Sequence, residues 1–298
     1  MFFNELDMLE IRLNVLNDKV DYFVMVEAKT THSGEKKELF FEKNKVRFSK
    51  FFDKIIYIIV DDMPKIVNGD RWPSDTFQRN AIMRGLKNCK DNDIIIISDL
   101  DEIPNLENFE AIKKQLIING SKNDYLYNNI YIPFKRWLSN IKSKSKIIHY
   151  IRVASNIFAI KSDRMIMFKQ NIYYYFLNGF VHDHWIGTKM VLYKDLIGQF
   201  HSTPQEVRNS VANTMIKNGG WHFSYLASPE NISWKMKSIT HKEFDKPELT
   251  NPTLIKERIE KGESIFGGKD KITYIKIDNS FPKYILENTE KYSSYINK

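Results

Sequence analysis

The sequence contains almost no cysteine and no long hydrophobic run. Cys89 is the single cysteine among 298 residues, which excludes an intrachain disulfide and is typical of a reducing compartment, most simply the cytoplasm. No stretch approaches the ~20 apolar residues that a membrane-spanning helix requires. The opening residues, Met-Phe-Phe-Asn-Glu-Leu-Asp, lack the charged start and the apolar core of a signal peptide. We therefore expect a soluble, cytoplasmic protein without a transmembrane segment.

Acidic residues are outnumbered by basic ones, 37 against 45, which gives a formal net charge of +8. A nucleic acid, an anionic small molecule or an anionic surface could each complement this charge. The lysines are scattered among acidic neighbours, however, and the one local cluster is Lys142, Lys144 and Lys146. A hydrophobic content of 42% is enough to fill a large core. The composition predicts a globular protein, and we expect no nucleic-acid partner.

Apolar residues follow helix and strand spacings in alternation. Leu6, Leu9, Leu13 and Leu16 recur at helical spacing. The predicted helices span residues 6–16, 74–87, 106–118, 230–239, 253–261 and 282–292. The predicted strands span residues 22–27, 54–60, 94–97, much of 125–193, and 272–277. The alternation predicts an α/β fold for the N-terminal third and a more helical C-terminal region.

The segment Ile94–Pro104 reads Ile-Ile-Ile-Ile-Ser-Asp-Leu-Asp-Glu-Ile-Pro. Four consecutive isoleucines suit a strand buried on both faces at the centre of a parallel sheet, and ligands bind beyond the carboxyl end of such a strand. If the backbone stays extended, Asp99 and Asp101 point to the same side while Leu100 turns to the core. Two such carboxylates suit Mg²⁺ or Mn²⁺ carrying phosphate groups. The alternative is a solvated acidic loop that caps the next helix.

Several motifs follow one another in a fixed order along the chain. They are Phe-Phe-Asn-Glu-Leu-Asp-Met-Leu-Glu-Ile-Arg-Leu at the start, Tyr-Phe-Val-Met-Val-Glu ending at Glu27, Gln78-Arg79-Asn80, Ile97-Ser-Asp-Leu-Asp-Glu-Ile-Pro104, Gly219-Gly-Trp-His-Phe-Ser-Tyr225, Pro229-Glu230 and Lys237-Ser-Ile-Thr-His-Lys-Glu-Phe244. In combination these motifs resemble glycosyltransferase family 17. The resemblance spans nearly the whole chain. It implies a GT-A type, Rossmann-like fold with a mostly parallel central sheet, a nucleotide-sugar donor, and inversion at the anomeric carbon. It also implies transfer of N-acetylglucosamine from its uridine diphosphate donor to a glycan hydroxyl.

The resemblance gives the acidic segment a mechanism, since a divalent ion bridging the donor phosphates stabilises the charge on the leaving group. Asp101 is the strongest candidate metal ligand, and Asp99 binds the same ion or the donor ribose. GT-A enzymes that the chain resembles supply a late histidine to the metal, which points to His222. An imidazole ligand favours Mn²⁺ over Mg²⁺. The alternative for His222 is a packed core histidine.

The donor also needs polar partners for its ribose, base and diphosphate. Glu27 ends a predicted strand at the ligand edge, and Glu102 could orient either aspartate. Arg79 could reach a phosphate or brace the aspartates, although an ordinary surface salt bridge is an equal alternative. Lys189 lies in a segment that resembles the family and could meet a phosphate.

Acceptor binding and proton removal are assigned to residues in the C-terminal half. Trp185, Thr188 and Trp221 are candidates to face the acceptor sugars, with core packing as the commoner role for an aromatic residue. An inverting transfer needs a general base for the acceptor hydroxyl. Glu243 is the first candidate and Asp183 the second, and either could instead be a salt-bridged or capping acid.

One GT-A-like domain is predicted over residues 1–298. Residues 1–120 form its nucleotide-binding half, residues 121–240 its acceptor half with an insertion at 121–156, and residues 241–298 a helical C-terminal region. Two other classes stay open. A haloacid-dehalogenase-like phosphatase would use the first aspartate as a nucleophile. A glycan- or nucleic-acid-binding module would leave the acidic segment unexplained, because bare carboxylates repel a polyanion.

Overall fold

The computed structural model describes residues 1–126, 164–198, 203–267 and 271–297. Its α-helices are α1 (Leu6–Leu16), α2 (Phe40–Asn44), α3 (Trp72–Asn80), α4 (Phe109–Leu126), α5 (Tyr193–Leu196), α6 (Pro204–Asn209), α7 (Pro229–Ser238), α8 (Pro247–Thr250), α9 (Pro252–Lys261) and α10 (Lys283–Glu287). Four 3₁₀ segments among the described residues span Lys45–Phe51, Ala81–Gly85, Lys242–Phe244 and Ser293–Tyr295. The predicted insertion continues α4 as far as residue 126, and the rest of it, with the lysine cluster, lies outside the described residues.

The strands are β1 (Phe23–Ala28), β2 (Ile55–Val60), β3 (Ile94–Ile97), β4 (Glu102–Pro104), β5 (Met165–Phe168), β6 (Gln170–Tyr174), β7 (Gly179–Trp185), β8 (Lys189–Leu192), β9 (Thr214–Ile216), β10 (Gly220–Ser224) and β11 (Thr273–Tyr274). They form a two-stranded sheet β1-β2, a five-stranded sheet β11-β7-β6-β10-β4 and a four-stranded sheet β3-β8-β5-β9. The α/β class is confirmed.

Most of the described strand pairings are antiparallel, so the predicted mostly parallel sheet is wrong for these residues. The parallel pairs are β1-β2, β6-β10 and β5-β9. The antiparallel pairs are β4-β10, β7-β11, β3-β8, β5-β8 and β6-β7. Short connections within residues 165–192 allow hairpin-like antiparallel pairing, whereas parallel neighbours need a longer crossover.

Strand β3 differs from its prediction in partner and in burial. It pairs antiparallel with β8 rather than at the centre of a parallel sheet. Ile95 and Ile97 are buried in one apolar cluster, while Ile94 and Ile96 are only partly buried against a second, larger cluster. Alternating side chains of a strand point to opposite faces, so β3 divides its isoleucines between two cores.

Helix α1 lies as predicted and buries the face that carries Leu9 and Leu13. The predicted helix 74–87 instead ends at Asn80 and continues as a 3₁₀ turn to Gly85. A Cβ at Gly85 would approach Val24 of β1 to 2.6 Å, which shows how tightly this turn packs on the first strand. The predicted helix 282–292 shortens to α10. None of the described helices is long and apolar enough to cross a membrane.

Candidate active site

A cleft of about 390 Å³ opens where several elements converge. Its walls come from four of the first five residues (Met1, Phe2, Phe3 and Glu5), the loop after β1, helix α3, the turn after β3, the end of β7, helix α6, strand β10 and the end of α7. The turn after β3 is central because it carries the chain from the four-stranded to the five-stranded sheet. The Asp-x-Asp segment therefore lies at the junction of two sheets, with both aspartates lining the cleft.

The aspartates do not lie on an extended backbone. The chain turns at Leu100 and Asp101, and the amide of Glu102 donates to the carbonyl of Asp99 at 3.2 Å. Leu100 points into the core as predicted and is 8% exposed. The turn gives each aspartate its own partners, so the pair does not form a single two-carboxylate site.

Asp99 is held between two guanidinium groups. Arg79 Nη1 donates to Oδ1 at 2.6 Å, and Arg208 Nη2 donates to Oδ2 at 2.9 Å. Burial alone would raise the pKa of Asp99, but the charges of Arg79 and Arg208 lower it well below its ordinary value. Arg79 also contacts Asp75 of the same helix at 3.3 Å. The prediction that Arg79 braces the aspartates agrees with its position.

Asp101 faces His222 and Lys235. Its Oδ1 lies 3.6 Å from His222 Nε2, and its Oδ2 lies 3.3 Å from Lys235 Nζ. Lys235 also contacts Glu5 at 2.8 Å. Burial would raise the pKa of Asp101, but Lys235 and His222 lower it. The side chain is therefore an ionised carboxylate beside an imidazole and an ammonium group.

The predicted metal site is only partly assembled. Asp101 and His222 lie together, at a separation compatible with two ligands of one ion that is bound at roughly 2.1 Å, whereas Asp99 is engaged by arginines. Across the described segments, no group of three or more His, Cys, Asp or Glu side chains could hold a metal ion. His222 packs on Trp185, with ring centroids 4.7 Å apart. Asp101 and His222 are the two described side chains that would hold such an ion.

Glu102 ends the turn that begins at Asp99, and it is fully buried. Its two oxygens accept from both terminal nitrogens of Arg208 at 2.6 Å and from Trp185 Nε1 at 2.6 Å. Gly187 is required for this contact, since a Cβ there would lie 2.1 Å from Glu102 Oε1. Carboxylates raise the pKa of Arg208 above its ordinary value, although burial alone would lower it. Glu102 therefore orients Arg208, which in turn holds Asp99.

Arg12 fixes the same turn from helix α1. Its Nη1 donates to the carbonyls of Asp99 at 3.0 Å and Glu102 at 2.6 Å, and its Nη2 donates to Ser98 Oγ at 2.6 Å. It also contacts the carbonyl of Leu100 at 3.3 Å. One guanidinium group thus satisfies several carbonyls that a tight turn leaves without strand partners.

Two predicted donor contacts are contradicted by their surroundings. Glu27 is fully buried, and its oxygens accept from Lys37, Tyr57 and the amides of Phe40 and Phe41. It ties β1 to the start of α2 and does not line the cleft. Lys189 is also buried and outside the cleft lining, with its ammonium group 3.1 Å from the carbonyl of Ile186. Both side chains are satisfied inside the fold.

The three predicted acceptor residues lie in different environments, and one of them lines the cleft. Trp185 lines the cleft. Trp221 belongs to the main hydrophobic core and donates to the carbonyl of Ser280 at 3.0 Å. Thr188 is fully buried and bonds Gln170 at 3.0 Å. Since Trp221 and His222 are neighbours on β10, alternation places them on opposite faces, which contradicts an acceptor role for Trp221.

The two predicted bases lie at the surface. Asp183 is 63% exposed, pairs with Lys169 at 2.8 Å and does not line the cleft, which contradicts a catalytic role. Glu243 is 58% exposed and contacts the cleft only through His241, whose Nδ1 lies 2.6 Å from Glu243 Oε1. Its role stays a prediction.

Sequence reasoning missed Arg208, Lys235 and Arg12. Arg208 and Lys235 are single basic residues outside the quoted motifs, and all three residues have partners in elements distant in sequence. Arg208 meets Glu102 across 106 positions, and Lys235 meets Asp101 across 134. Arg12 offered a weak signal, because it lies between apolar residues of helix α1 and within a segment that resembles the family.

The cleft brings Asp101 and His222 together with the cationic side chains of Arg79, Arg208 and Lys235. Comparison with known proteins gives the class of the protein, a glycosyltransferase. The model of glycosyltransferase family 17 matches residues 1–162, more than half of the chain. The chain belongs to glycosyltransferase family 17, as its motifs predicted. No solved structure matches it.

The chain is similar to mammalian proteins named beta-1,4-mannosyl-glycoprotein 4-beta-N-acetylglucosaminyltransferase. The protein from Rattus norvegicus is 23% identical over 306 aligned residues, which cover 97% of this chain and 52% of the rat protein. The Homo sapiens protein is 22% identical with the same coverage. A shorter match to the Mus musculus protein is 32% identical over 107 residues, covering 34% of this chain and 20% of that protein. The chain spans about half the length of the rat and human relatives.

Proposed function

We propose that this protein is a metal-dependent inverting glycosyltransferase that moves N-acetylglucosamine from UDP-N-acetylglucosamine to a glycan hydroxyl in β linkage. The observation that carries the proposal is the cleft in which Asp101 and His222 lie beside three cationic side chains, Arg79, Arg208 and Lys235. Family membership supports sugar transfer, and the names of the relatives support N-acetylglucosamine as the sugar. The GT-A type of fold belongs to the same proposal.

The cationic side chains suit a diphosphate leaving group. Arg79 and Arg208 are planar guanidinium groups that hold phosphate oxygens through paired hydrogen bonds, and Lys235 offers a point charge. All three are partly satisfied by carboxylates and are therefore already positioned before a ligand binds. Preorganised cations stabilise negative charge that develops on the leaving group without reorganising during the reaction.

Asp101 and His222 would hold the divalent ion, and a nitrogen ligand favours Mn²⁺ over Mg²⁺. Such an ion, when bound, stabilises charge on the departing diphosphate. Asp99 contributes indirectly, since it fixes Arg79 and Arg208 on the cleft wall. Lys235 would exchange its contact with Asp101 for a phosphate oxygen, while Glu5 keeps it in place.

The contacts of Asp99 argue against the phosphatase alternative. A nucleophilic aspartate needs a free carboxylate oxygen at the reacting phosphorus, whereas both oxygens of Asp99 are engaged by arginines.

The proposal is tested by incubating the purified protein with Mn²⁺ and a panel of nucleotide sugars and measuring nucleoside diphosphate release. We expect release from UDP-N-acetylglucosamine that EDTA abolishes. Asp101→Ala should lower the rate about 100-fold or more. Asp183→Asn is the matched control, because it changes an exposed acid outside the cleft and should leave the rate unchanged.

Two results would contradict the proposal. One is a wild-type protein that releases no diphosphate from any donor and shows no rise in melting temperature with UDP and Mn²⁺. The other is full activity of Asp101→Ala in the presence of Mn²⁺. Release from a different donor would retain the transferase assignment and replace the sugar.

A further inference from the structure

Helix α3 presents an ordered series of side chains to the cleft. Trp72, Asp75 and Arg79 all line it, and positions i, i+3 and i+7 share one helix face. At 1.5 Å per residue, Asp75 lies about 4.5 Å along the axis from Trp72, and Arg79 about 10.5 Å. The order along the helix is thus an aromatic ring, a carboxylate and a guanidinium group that touches Asp99.

Asp75 keeps one carboxylate oxygen without a partner. Its Oδ1 receives Arg79 at 3.3 Å, and Oδ2 has no hydrogen bond to any residue that the structure describes. The other described carboxylates that line the cleft have both oxygens engaged: Glu5, Asp99, Asp101 and Glu102. The side chain of Asp75 is only 12% exposed, and the residue lines the cleft.

Trp72 is exposed at the border of the cleft. Half of the residue is accessible, and its ring meets His241 edge-on, with centroids 5.1 Å apart and planes at 79°. Trp72 is one of the residues that line the cleft. An open indole is also a suitable stacking surface for a planar ligand.

The position of this face favours a nucleoside over an acceptor sugar. The loop after β1 forms the adjoining wall, at the carboxyl end of the parallel pair β1-β2, where α/β folds bind nucleotides. His32 of that loop bonds Gln78 of α3 at 2.8 Å and Thr240 at 3.2 Å. These contacts hold the loop against α3.

We propose that the face of α3 formed by Trp72, Asp75 and Arg79 binds the nucleoside diphosphate part of the donor, with the base on Trp72, the ribose hydroxyls on Asp75 Oδ2 and the phosphates at Arg79. This inference rests on the proposed function and specifies its donor subsite. Base, ribose and phosphates follow one another in a nucleoside diphosphate in the same order as these side chains follow along α3. Carboxylates are the groups that dinucleotide-binding folds use for ribose hydroxyls.

The test compares ligands that contain or lack the nucleoside. Affinities for UDP, UMP and inorganic pyrophosphate are measured by calorimetry, with Mn²⁺, for the wild type, Trp72→Ala, Trp72→Phe and Asp75→Asn. Loss of aromatic stacking should weaken UDP and UMP about tenfold in Trp72→Ala, and Trp72→Phe should recover most of this loss. Asp75→Asn should also weaken both nucleotides about tenfold. Pyrophosphate affinity should stay within about twofold of the wild type in every variant, since no nucleoside is present.

Asp61→Asn is the control, because Asp61 is 63% exposed, pairs with Lys29 and lies outside the cleft lining. Wild-type UDP affinity in Trp72→Ala and Asp75→Asn would overturn the inference and leave the proposed function intact. An equal loss of UDP and pyrophosphate would overturn it as well, since Asp75 would then act only through Arg79. A change confined to the acceptor KM or to kcat would place acceptor chemistry on this face. Failure of the wild type to bind UDP would overturn this inference and the uridine diphosphate donor of the proposed function, whereas the transferase assignment depends on the donor panel.

Discussion

Replacing Arg208 by methionine should destabilise the protein far more than replacing an arginine in an exposed ion pair. Arg208 donates to both oxygens of Glu102 at 2.6 Å and to Asp99 at 2.9 Å, and the Glu102 side chain has no exposed surface. Removing one partner of a buried pair costs about 3–5 kcal/mol, because the remaining charge keeps its desolvation penalty. We expect the free energy of unfolding to fall by that amount.

Arg84→Met is the matched comparison. Arg84 makes the same paired contacts with Asp62, at 2.9 and 2.8 Å, but the side chains are 36% and 55% exposed. Such pairs contribute about 0–1 kcal/mol. Urea denaturation followed by circular dichroism measures both losses. Equal losses for Arg208→Met and Arg84→Met would refute the reasoning. A double variant that also carries Glu102→Met should recover part of the Arg208→Met loss, since it removes the stranded charge.

Two further predictions concern the segment that supports Glu102. Gly187→Ala places a Cβ 2.1 Å from Glu102 Oε1. Urea denaturation should therefore show a free energy of unfolding that is about 1–3 kcal/mol lower, because the site is overpacked. The control is Gly120→Ala in α4, which has open space around its Cβ and should be neutral or stabilising. An unchanged unfolding midpoint for Gly187→Ala would contradict the close approach. Burial and the charge of Arg208 lower the pKa of Lys189 from 10.5 to about 8. Between these two pH values the unfolded chain holds a proton that the native state has lost. The free energy of unfolding of the wild type should therefore rise with pH across this window relative to that of Lys189→Met. Parallel curves of stability against pH for the two proteins would contradict this prediction.

The local elements of the fold were predictable where the sequence pattern is periodic. Helix α1 follows from the spacing of Leu6, Leu9, Leu13 and Leu16, and β1 and β2 follow from short apolar runs. Strand direction was not predictable, because four isoleucines are compatible with either neighbour. The partner of β3 is β8, some 90 residues later, and such long-range pairing leaves no local signature.

The candidate site was predictable in part. Asp99, Asp101, Arg79, His222 and Trp185 all line one cleft, as their motifs suggested. The errors at Glu27, Thr188 and Trp221 share one cause, since a polar or aromatic residue at the end of a strand can face either a ligand or the core. The hydrogen bonds of the side chain decide whether it faces a ligand or the core. The side chains of Glu27, Thr188 and Trp221 all form theirs inside the fold.

The sequence by itself determined the family, the α/β class and the Asp-x-Asp segment, because these depend on motifs and on local periodicity. Only the tertiary structure decided what each aspartate does. Arg79 and Arg208 engage Asp99, while His222 and Lys235 face Asp101. These partners come from four separate elements, and their distances depend on how two sheets and three helices pack. Charge interactions act over a few ångströms in space, and sequence spacing does not specify that distance.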